Sequence, residues 1–283
     1  WLTDVQMAGD GGPIDRVVSL RFPSYAVRHP NQVVWLNHRM REYYDLWDDF
    51  SAGLNRKARL VEAVRRRALH FLDGRLLHRR AVIAQSKTIQ HRLCRWGGID
   101  SDVLYPPAPQ RDYRCDDYNG AILVVGRLTK LKRVDLLIQA AAAAGGDWRV
   151  RIAGEGPERG TLVKLTRELN LEHRVVLLGE LDEERLVHEY ANCAAVYFGS
   201  RAEDYGLVTL EAFSSAKAVV TCTDSGGPAE LVEDGVTGFV TEPEVGAVAE
   251  ALARITQETR LAERLGAAAA EVATQHSWPA AVE

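Results

Sequence analysis

The chain has 283 residues, of which 46% are hydrophobic and 26% are charged, and its formal net charge is −4 at pH 7. This length suits two ordinary domains, and the composition argues against extensive disorder and against a dedicated nucleic-acid binder. No apolar run reaches the roughly 20 residues of a membrane-spanning helix. The four cysteines lack the paired spacing of a zinc site or disulfide framework, so we expect reduced thiols in a cytoplasmic protein.

The first hundred residues predict few elements. Apolar β-rich runs and helical periodicity predict strands at 16–20, 33–37 and 81–84, and helices at 57–78 and 87–96. Three strands are few for a complete Rossmann-like domain, so we expect the beginning of this domain to be missing. The Pro-rich step at 105–109 cannot continue a strand, and it predicts a boundary between a first domain, 1–105, and a second domain, 106–283.

From residue 118 onwards, short apolar strands alternate with amphipathic helices. The predicted strands are 121–125, 148–153, 174–178, 194–198, 218–222 and 238–241, and the predicted helices are 134–144, 157–170, 183–192, 207–216 and 244–255. Such alternation is typical of a doubly wound parallel sheet, which binds ligands at the carboxyl ends of its strands.

The loop after the first of these strands carries Gly126, Arg127 and Lys132. Glycine lets the chain turn sharply out of the sheet, and the two cations can hold a diphosphate through charge-assisted hydrogen bonds. Two solvated surface cations are the alternative.

The turn after the next strand carries Gly154, Gly156 and Gly160. The third glycine is one residue too far along for a G-x-G-x-x-G dinucleotide motif. A plain strand-to-helix turn, with Pro157 in the first helical turn, explains most of this pattern.

The segment 203–211 follows a predicted buried strand and opens a helix. The amides of Gly206, Leu207 and Val208 lie at the positive end of that helix, where a diphosphate can bind. Glu211, one turn into the helix, suits the two hydroxyls of a ribose, and Glu203 lies in the preceding loop. Both glutamates are also compatible with ordinary acidic residues near a helix start. The glycine turn at 224–230 either lines the same crevice or is a tight connection without a ligand.

In order and spacing, these motifs resemble the family 4 glycosyltransferases, also described as glycosyl transferases group 1. The shared runs are G-R-L-x-x-x-K from Gly126, A-G-E-G-P from Ala153, E-x7-E from Glu203 and G-G-P-A-E-L-V-E-D-G-x-T-G-F from Gly226. The resemblance covers residues 118–255. It implies an α/β, GT-B fold of two Rossmann-like domains, the first incomplete, that face a cleft.

By this resemblance the first domain is a partial acceptor-side domain and the second binds a nucleotide sugar. Glu203 would contact the donor sugar, Arg127 and Lys132 the diphosphate, and Glu211 the ribose. The remaining donor contacts would come from Gly126, Gly154, Tyr205, Gly206, Leu207 and Val208. Residues 214–217 depart from the family's A-x-G-x-P turn, which puts the helix end in doubt but leaves both glutamates in place.

The first domain is similar to a subset of bacterial members over residues 21–25 and 33–38. In the wider family a histidine at the end of this strand faces the donor sugar. His38 is therefore a candidate catalytic residue, with Glu203, Arg127 and Lys132. A lone histidine after a strand is more often structural, so both interpretations stay open.

The resemblance implies a retaining hexosyltransferase that acts on a glycan or lipid-linked acceptor in cell-envelope polysaccharide synthesis. We expect no cofactor and no catalytic metal, because the D-x-D at 100–102 is better explained as an aspartate-rich turn. A nucleotide-sugar-binding fragment without activity, a sugar-nucleotide epimerase and a phosphorylase are the alternatives.

The run from Lys57 to Arg80 is rich in arginine. A basic amphipathic helix can dock on anionic lipid, which predicts a peripheral contact with the inner face of a membrane. A solvated helix face and an acidic partner are the alternatives.

Overall fold

A computed structural model describes residues 5–7, 11–118 and 120–282. The chain divides into two compact units, Trp1–Tyr105 and Pro106–Glu283, each built on a parallel sheet with helices. The mixed α/β class predicted from the sequence is confirmed. The assignment of one unit to the acceptor and of the other to the donor stays a prediction.

The first unit contains a four-stranded parallel sheet with the strand order β1-β2-β3-β4. Its elements are β1 (Val17–Arg21), β2 (Gln32–His38), α1 (Trp47–Ala52), α2 (Arg56–Leu77), β3 (Ala81–Ala84), α3 (Lys87–Arg95) and β4 (Asp102–Val103). Its core is a cluster of buried apolar side chains from β2, β3, α3 and the end of α2. The side chains of Asn55 and Ser86 cap α2 and α3 by accepting hydrogen bonds from the Ala58 and Ile89 amides, at 3.0 and 3.1 Å.

The expectation of three strands in this unit was wrong by one. The strand β4 has only two residues, and it pairs through Asp102 and Val103 with β3. Asp102 therefore begins a strand and does not lie wholly in a turn, as the aspartate-rich pattern had indicated.

The second unit contains a six-stranded parallel sheet. Its strands are β5 (Ala121–Val125), β6 (Arg149–Ala153), β7 (Val175–Gly179), β8 (Ala195–Tyr197), β9 (Ala218–Cys222) and β10 (Gly238–Thr241). Its helices are α4 (Val134–Ala144), α5 (Arg159–Glu168), α6 (Glu183–Asn192), α7 (Leu207–Ser214), α8 (Gly227–Leu231), α9 (Val245–Gln257), α10 (Thr259–Gln275) and α11 (Trp278–Val282).

The order of these strands, β7-β6-β5-β8-β9-β10, is the doubly wound order of dinucleotide-binding folds. The direction of winding reverses between β5 and β8, which lie side by side through the pairs Ile122–Ala195 and Leu123–Val196. All residues of β8 and β9 are buried, as expected for central parallel strands covered on both faces. The crevice at such a reversal is the ligand-binding position of this class of sheet.

Several predicted helix limits differ from the structure. Helix α5 begins at Arg159, so Pro157 precedes the helix and does not lie in its first turn. Helix α7 ends at Ser214, two residues before the predicted end. Helices α1, α10 and α11 were not predicted. None of the described helices is long and apolar enough to cross a membrane.

The early end of α7 has a backbone cause at Ala216. This residue has a φ of +52°, in the left-handed region, and it stands where the family's A-x-G-x-P turn has glycine. Left-handed backbone is unfavourable for residues that carry a Cβ. The departure from the family pattern therefore leaves the turn in place but makes it strained.

Replacing Ala216 by glycine should raise the free energy of unfolding by about 0.5–1 kcal/mol. The left-handed conformation costs an L-residue roughly 1–2 kcal/mol, and the greater chain entropy of glycine offsets about 0.5–1 kcal/mol of that gain. Calorimetry should show a melting temperature about 2 °C higher. The matched control, Ala212→Gly in the interior of α7, should lower it. An unchanged or lower melting temperature for Ala216→Gly would contradict the assignment of strain.

Candidate active site

The loops after β5 and β8 leave the sheet next to each other, at the point where the strand order reverses. Gly126, Arg127 and Lys132 belong to the first loop, and Glu203, Tyr205 and Gly206 belong to the second. The main-chain amide of Arg201 donates to the carbonyl oxygen of Leu131 at 2.7 Å. The structure thus brings together two motifs that lie about seventy residues apart in the chain.

The glycine turns after β5 and β6 pack backbone against backbone. The amide of Gly126 donates to Ala153 at 3.0 Å, and the amide of Gly154 donates to Gly179 at 2.7 Å. Gly154 has a φ of +129°, and a Cβ there would lie 2.0 Å from the carbonyl oxygen of Gly126. Glycine at 154 is therefore required by packing, while its predicted contact with a donor stays a prediction.

The predicted diphosphate-binding lysine and the predicted sugar-binding glutamate form an ion pair. The ammonium of Lys132 donates to Oε2 of Glu203 at 2.6 Å, and these side chains are 22% and 25% exposed. The same ammonium lies 4.6 Å from the centre of the Phe198 ring. Both charges remain accessible, and the phenyl ring limits where the lysine head can move.

Arg127 differs from Lys132. Its side chain is exposed, and within the described part of the chain it forms no ion pair. The structure leaves the alternative of a solvated surface cation open for this residue.

The loop that carries Glu203 is held by the glycine turn before α8. The amide of Glu203 donates to Ser225 at 2.8 Å, and the amide of Gly227 donates back to Glu203 at 3.1 Å. A Cβ at Gly227 would lie 2.3 Å from the carbonyl oxygen of Tyr205. The turn at 224–230 thus supports the site through its backbone, which explains why a glycine is needed there.

Helix α7 begins at this loop with Gly206 as its N-cap, at a φ of +82°. A Cβ at Gly206 would lie 2.7 Å from Pro228 and 2.8 Å from Phe198. Among residues 5–7, 11–118 and 120–282, none accepts a hydrogen bond from the amides of Gly206, Leu207 and Val208. Unpaired amides at the start of a helix carry partial positive charge and suit an anion.

Glu211 is held by two partners that the sequence did not indicate. Its Oε1 accepts from Arg111 at 2.6 Å, and its Oε2 accepts from the Tyr190 hydroxyl at 2.7 Å. Arg111 also donates to Glu183 and to the Tyr113 hydroxyl, each at 3.1 Å. Arg111 and Glu211 are one hundred positions apart, so no local pattern could have revealed this contact.

The two tyrosines of this cluster remain neutral at physiological pH. Burial, together with the charge of Glu211, raises the pKa of Tyr190 well above its ordinary value. Burial and the same carboxylate raise the pKa of Tyr113 to about 12. Burial lowers the pKa of Arg111, but hydrogen bonds to Tyr113 and Glu211 raise it by more, so this cation stays charged. Glu211 therefore faces one permanent cation and one neutral donor.

His38 ends β2 in the first unit. Its Nδ1 lies 2.9 Å from the carbonyl oxygen of Arg39. A carbonyl oxygen only accepts, so Nδ1 carries a proton in this contact. Its role opposite a donor sugar stays a prediction.

The described residues contain no group of three or more His, Cys, Asp or Glu side chains that is able to hold a metal ion. Whether the reaction uses a metal is a separate question, and metal independence stays a prediction.

Comparisons with known proteins identify the family of this chain. The family described as glycosyl transferases group 1 matches residues 111–272. The chain is 30% identical over 277 residues to an alpha-D-kanosaminyltransferase of Streptomyces kanamyceticus. This alignment covers 94% of the present chain and 67% of that protein. It is 34% identical over 196 residues to a D-inositol 3-phosphate glycosyltransferase of Mycolicibacterium smegmatis, with 66% of this chain and 44% of that protein covered.

Solved structures show the same fold. A sucrose-phosphate synthase from Thermosynechococcus elongatus superimposes with a TM-score of 0.76 at 20% identity, over 94% of this chain and 70% of that one. Anabaena HepE in complex with UDP and glucose gives a TM-score of 0.66 at 22% identity, over 88% of this chain and 82% of that one. The predicted GT-B fold is confirmed, and the chain belongs to the group 1 family of glycosyltransferases.

Proposed function

We propose that this chain binds a nucleoside-diphosphate sugar and transfers its sugar, with retention of anomeric configuration, to an acceptor hydroxyl. One observation carries the proposal. The amides at the start of α7, which donate to no described residue, and the cation of Lys132 lie on adjacent loops at the strand-order reversal of the sheet. A diphosphate can accept hydrogen bonds from these amides and pair its negative charge with the Lys132 ammonium.

Binding of a diphosphate changes the partner of Lys132. A phosphate oxygen competes with Glu203 for the ammonium, and two negative phosphates outweigh one carboxylate. Because the backbone of Glu203 is fixed by Ser225 and Gly227, the freed carboxylate stays close by. It then serves as an acceptor for sugar hydroxyls, which is the role that the family resemblance implies.

The reaction breaks the bond between the sugar and the phosphate, so negative charge grows on the leaving diphosphate. Preorganised donors aimed at that charge lower the barrier. Lys132 and the α7 amides supply such donors here, and Arg127 adds a mobile cation from the same loop. This arrangement supports a reaction without a metal, with His38 as a further candidate in catalysis.

The relatives support this reaction class, and one solved structure holds UDP with glucose. We propose UDP as the first nucleotide to test, and a hexose as the transferred sugar. A glycan or lipid-linked acceptor, in the synthesis of a cell-envelope polysaccharide, fits the bacterial relatives. The chain spans only 44% of one of these relatives, so a binding fragment without transferase activity is the second candidate.

Lys132→Ala should weaken the binding of UDP at least tenfold, because the diphosphate loses its charged donor. The measurement is calorimetric titration with UDP, GDP and ADP. Lys164→Ala is the matched control, since Lys164 is 78% exposed and pairs with Glu168 within α5. Equal affinity of the wild-type and Lys132→Ala chains for every nucleotide would contradict this donor site.

Incubation of the chain with UDP-glucose and excess EDTA should still release UDP when an acceptor is present. The proton spectrum of the product should show the anomeric configuration of the donor. UDP binding without release would favour the binding fragment. Conversion of the donor to another UDP-hexose would favour the epimerase.

A contact with an anionic membrane is the remaining part of the proposal. Five large apolar side chains of α2 are exposed, namely Leu60, Val61, Val64, Phe71 and Leu72. At 3.6 residues per turn they fall within a sector of about 120°. The acidic residues Glu62 and Asp73 lie on the opposite side, where they accept from Tyr43 and Tyr44 at 2.6 Å each.

Next to Leu72 and Leu76, near the end of α2, is a cavity of about 740 Å³ with a basic lining. The guanidinium groups of Arg28, Arg75 and Arg79 have no partner in the described part of the chain. Burial and the charge of Arg79 lower the pKa of Arg80, which lines the same cavity. Uncompensated positive charge beside an apolar helix face is the pattern that suits an anionic lipid headgroup.

The chain should sediment with vesicles of phosphatidylglycerol but not with vesicles of phosphatidylcholine. The double variant Val64→Ser/Phe71→Ser should lose this binding, because both side chains are more than 60% exposed. Val236→Ser, an exposed apolar residue of the second unit, is the control. Binding to neither kind of vesicle would contradict the membrane contact. The remaining explanations for this face would then be a protein partner or exposure to solvent.

A further inference from the structure

The Glu211 carboxylate, which we assign to the donor ribose, already has a hydrogen-bond donor on each oxygen. Arg111 donates to Oε1 at 2.6 Å and Tyr190 donates to Oε2 at 2.7 Å. The glutamate side chain is only 9% exposed. A ribose that uses this carboxylate must therefore share an oxygen or replace one of the two donors.

The two donors differ in how easily they can move. Tyr190 belongs to α6 and is fully buried, with its ring in edge contact with Tyr113 at 6.3 Å. Its side chain has no exposed surface, and its hydroxyl donates to Glu211 from the interior of the unit. Tyr190 thus fixes the orientation of the carboxylate from the inside of the unit.

Arg111 lies on the segment 106–118, which contains neither helix nor strand. Hydrogen bonds hold this segment on both sides of Arg111. The hydroxyl of Tyr205 donates to Pro106 at 2.6 Å, and the amides of Asp116 and Asp117 donate to Ala191 at 2.9 and 3.1 Å. Between these hydrogen bonds, the Arg111 side chain is 22% exposed and contacts Oε1 of Glu211 at 2.6 Å.

A guanidinium that leaves Glu211 keeps other partners. It also donates to the Glu183 carboxylate, which is 66% exposed, and to the Tyr113 hydroxyl. Displacement from Glu211 therefore does not leave the Arg111 guanidinium buried without a partner. A buried cation without a partner would make the displacement strongly unfavourable. The ribose hydroxyls would take over the acceptor sites on Oε1.

From this asymmetry we infer that Arg111 is a displaceable counter-ion that competes with the donor ribose for Glu211, while Tyr190 is the positioning residue that holds Glu211 for the ribose. The inference rests on the proposed donor site and deepens it. At the nucleoside end of that site, Arg111 competes with the ribose for the Glu211 carboxylate. Removal of Arg111 and removal of the Tyr190 hydroxyl should therefore change nucleoside recognition in opposite directions.

The test compares two anions that share a diphosphate but differ in the nucleoside. Dissociation constants for UDP and for inorganic diphosphate are measured by calorimetry, and their ratio isolates the contribution of the nucleoside. Changes of net charge affect both anions and largely cancel in this ratio. The variants are Arg111→Ala, Arg111→Gln and Tyr190→Phe, each checked for folding by its melting temperature. Arg114→Ala is the control, since Arg114 lies on the same segment and pairs with the exposed Asp116.

Arg111→Ala should raise the preference for UDP over inorganic diphosphate about threefold to tenfold, and Arg111→Gln should raise it less. Tyr190→Phe should lower the preference at least threefold, and Arg114→Ala should leave it unchanged. A lower preference in Arg111→Ala would overturn the inference, because Arg111 would then bind the nucleoside directly. An unchanged preference in both Arg111 variants would also overturn it. A wild-type chain that binds neither anion would instead overturn the proposed function.

Discussion

The ion pair between Lys132 and Glu203 is the interaction on which the candidate site depends. It joins the loop after β5 to the loop after β8, the two loops that flank the reversal of strand order. With both side chains about one quarter exposed or less, the pair is neither deeply buried nor freely solvated. Its own contribution to stability is therefore small, and the exchange of one partner for a phosphate is accessible. A stronger, buried pair would resist that exchange.

The surroundings of this pair are rigid for backbone reasons. Gly154 and Gly227 stand where a Cβ would collide with a neighbouring main chain, at 2.0 and 2.3 Å. The loops can approach this closely only without side chains, and the approach at Gly227 holds the main chain of Tyr205 next to the start of α7. Donors held in place before the reaction stabilise developing charge without reorganisation, which is how electrostatic catalysis works. In the reaction that we propose, these glycines contribute through packing, whether or not they touch a ligand.

Elements set by local patterns have the limits predicted from the sequence. The strands β5, β9 and β10 and the helices α4 and α6 agree, because their hydrophobic runs and periodicity lie within a few neighbouring residues. Elements and contacts that depend on distant partners were not predicted. The two-residue strand β4 exists only because β3 lies beside it. The contacts of Glu211 with Arg111 and Tyr190 span 100 and 21 positions. The local sequence around Glu211 therefore could not indicate these partners.

We propose that a diphosphate binds at the start of α7 and takes Lys132 from Glu203. A crystal structure of the chain with bound UDP tests this exchange of partners. We expect phosphate oxygens within hydrogen-bond distance of the Leu207 and Val208 amides and of the Lys132 ammonium, with the Lys132–Glu203 pair broken. A diphosphate found elsewhere, for instance among Arg28, Arg75 and Arg79, or an intact Lys132–Glu203 pair beside the nucleotide, would contradict it.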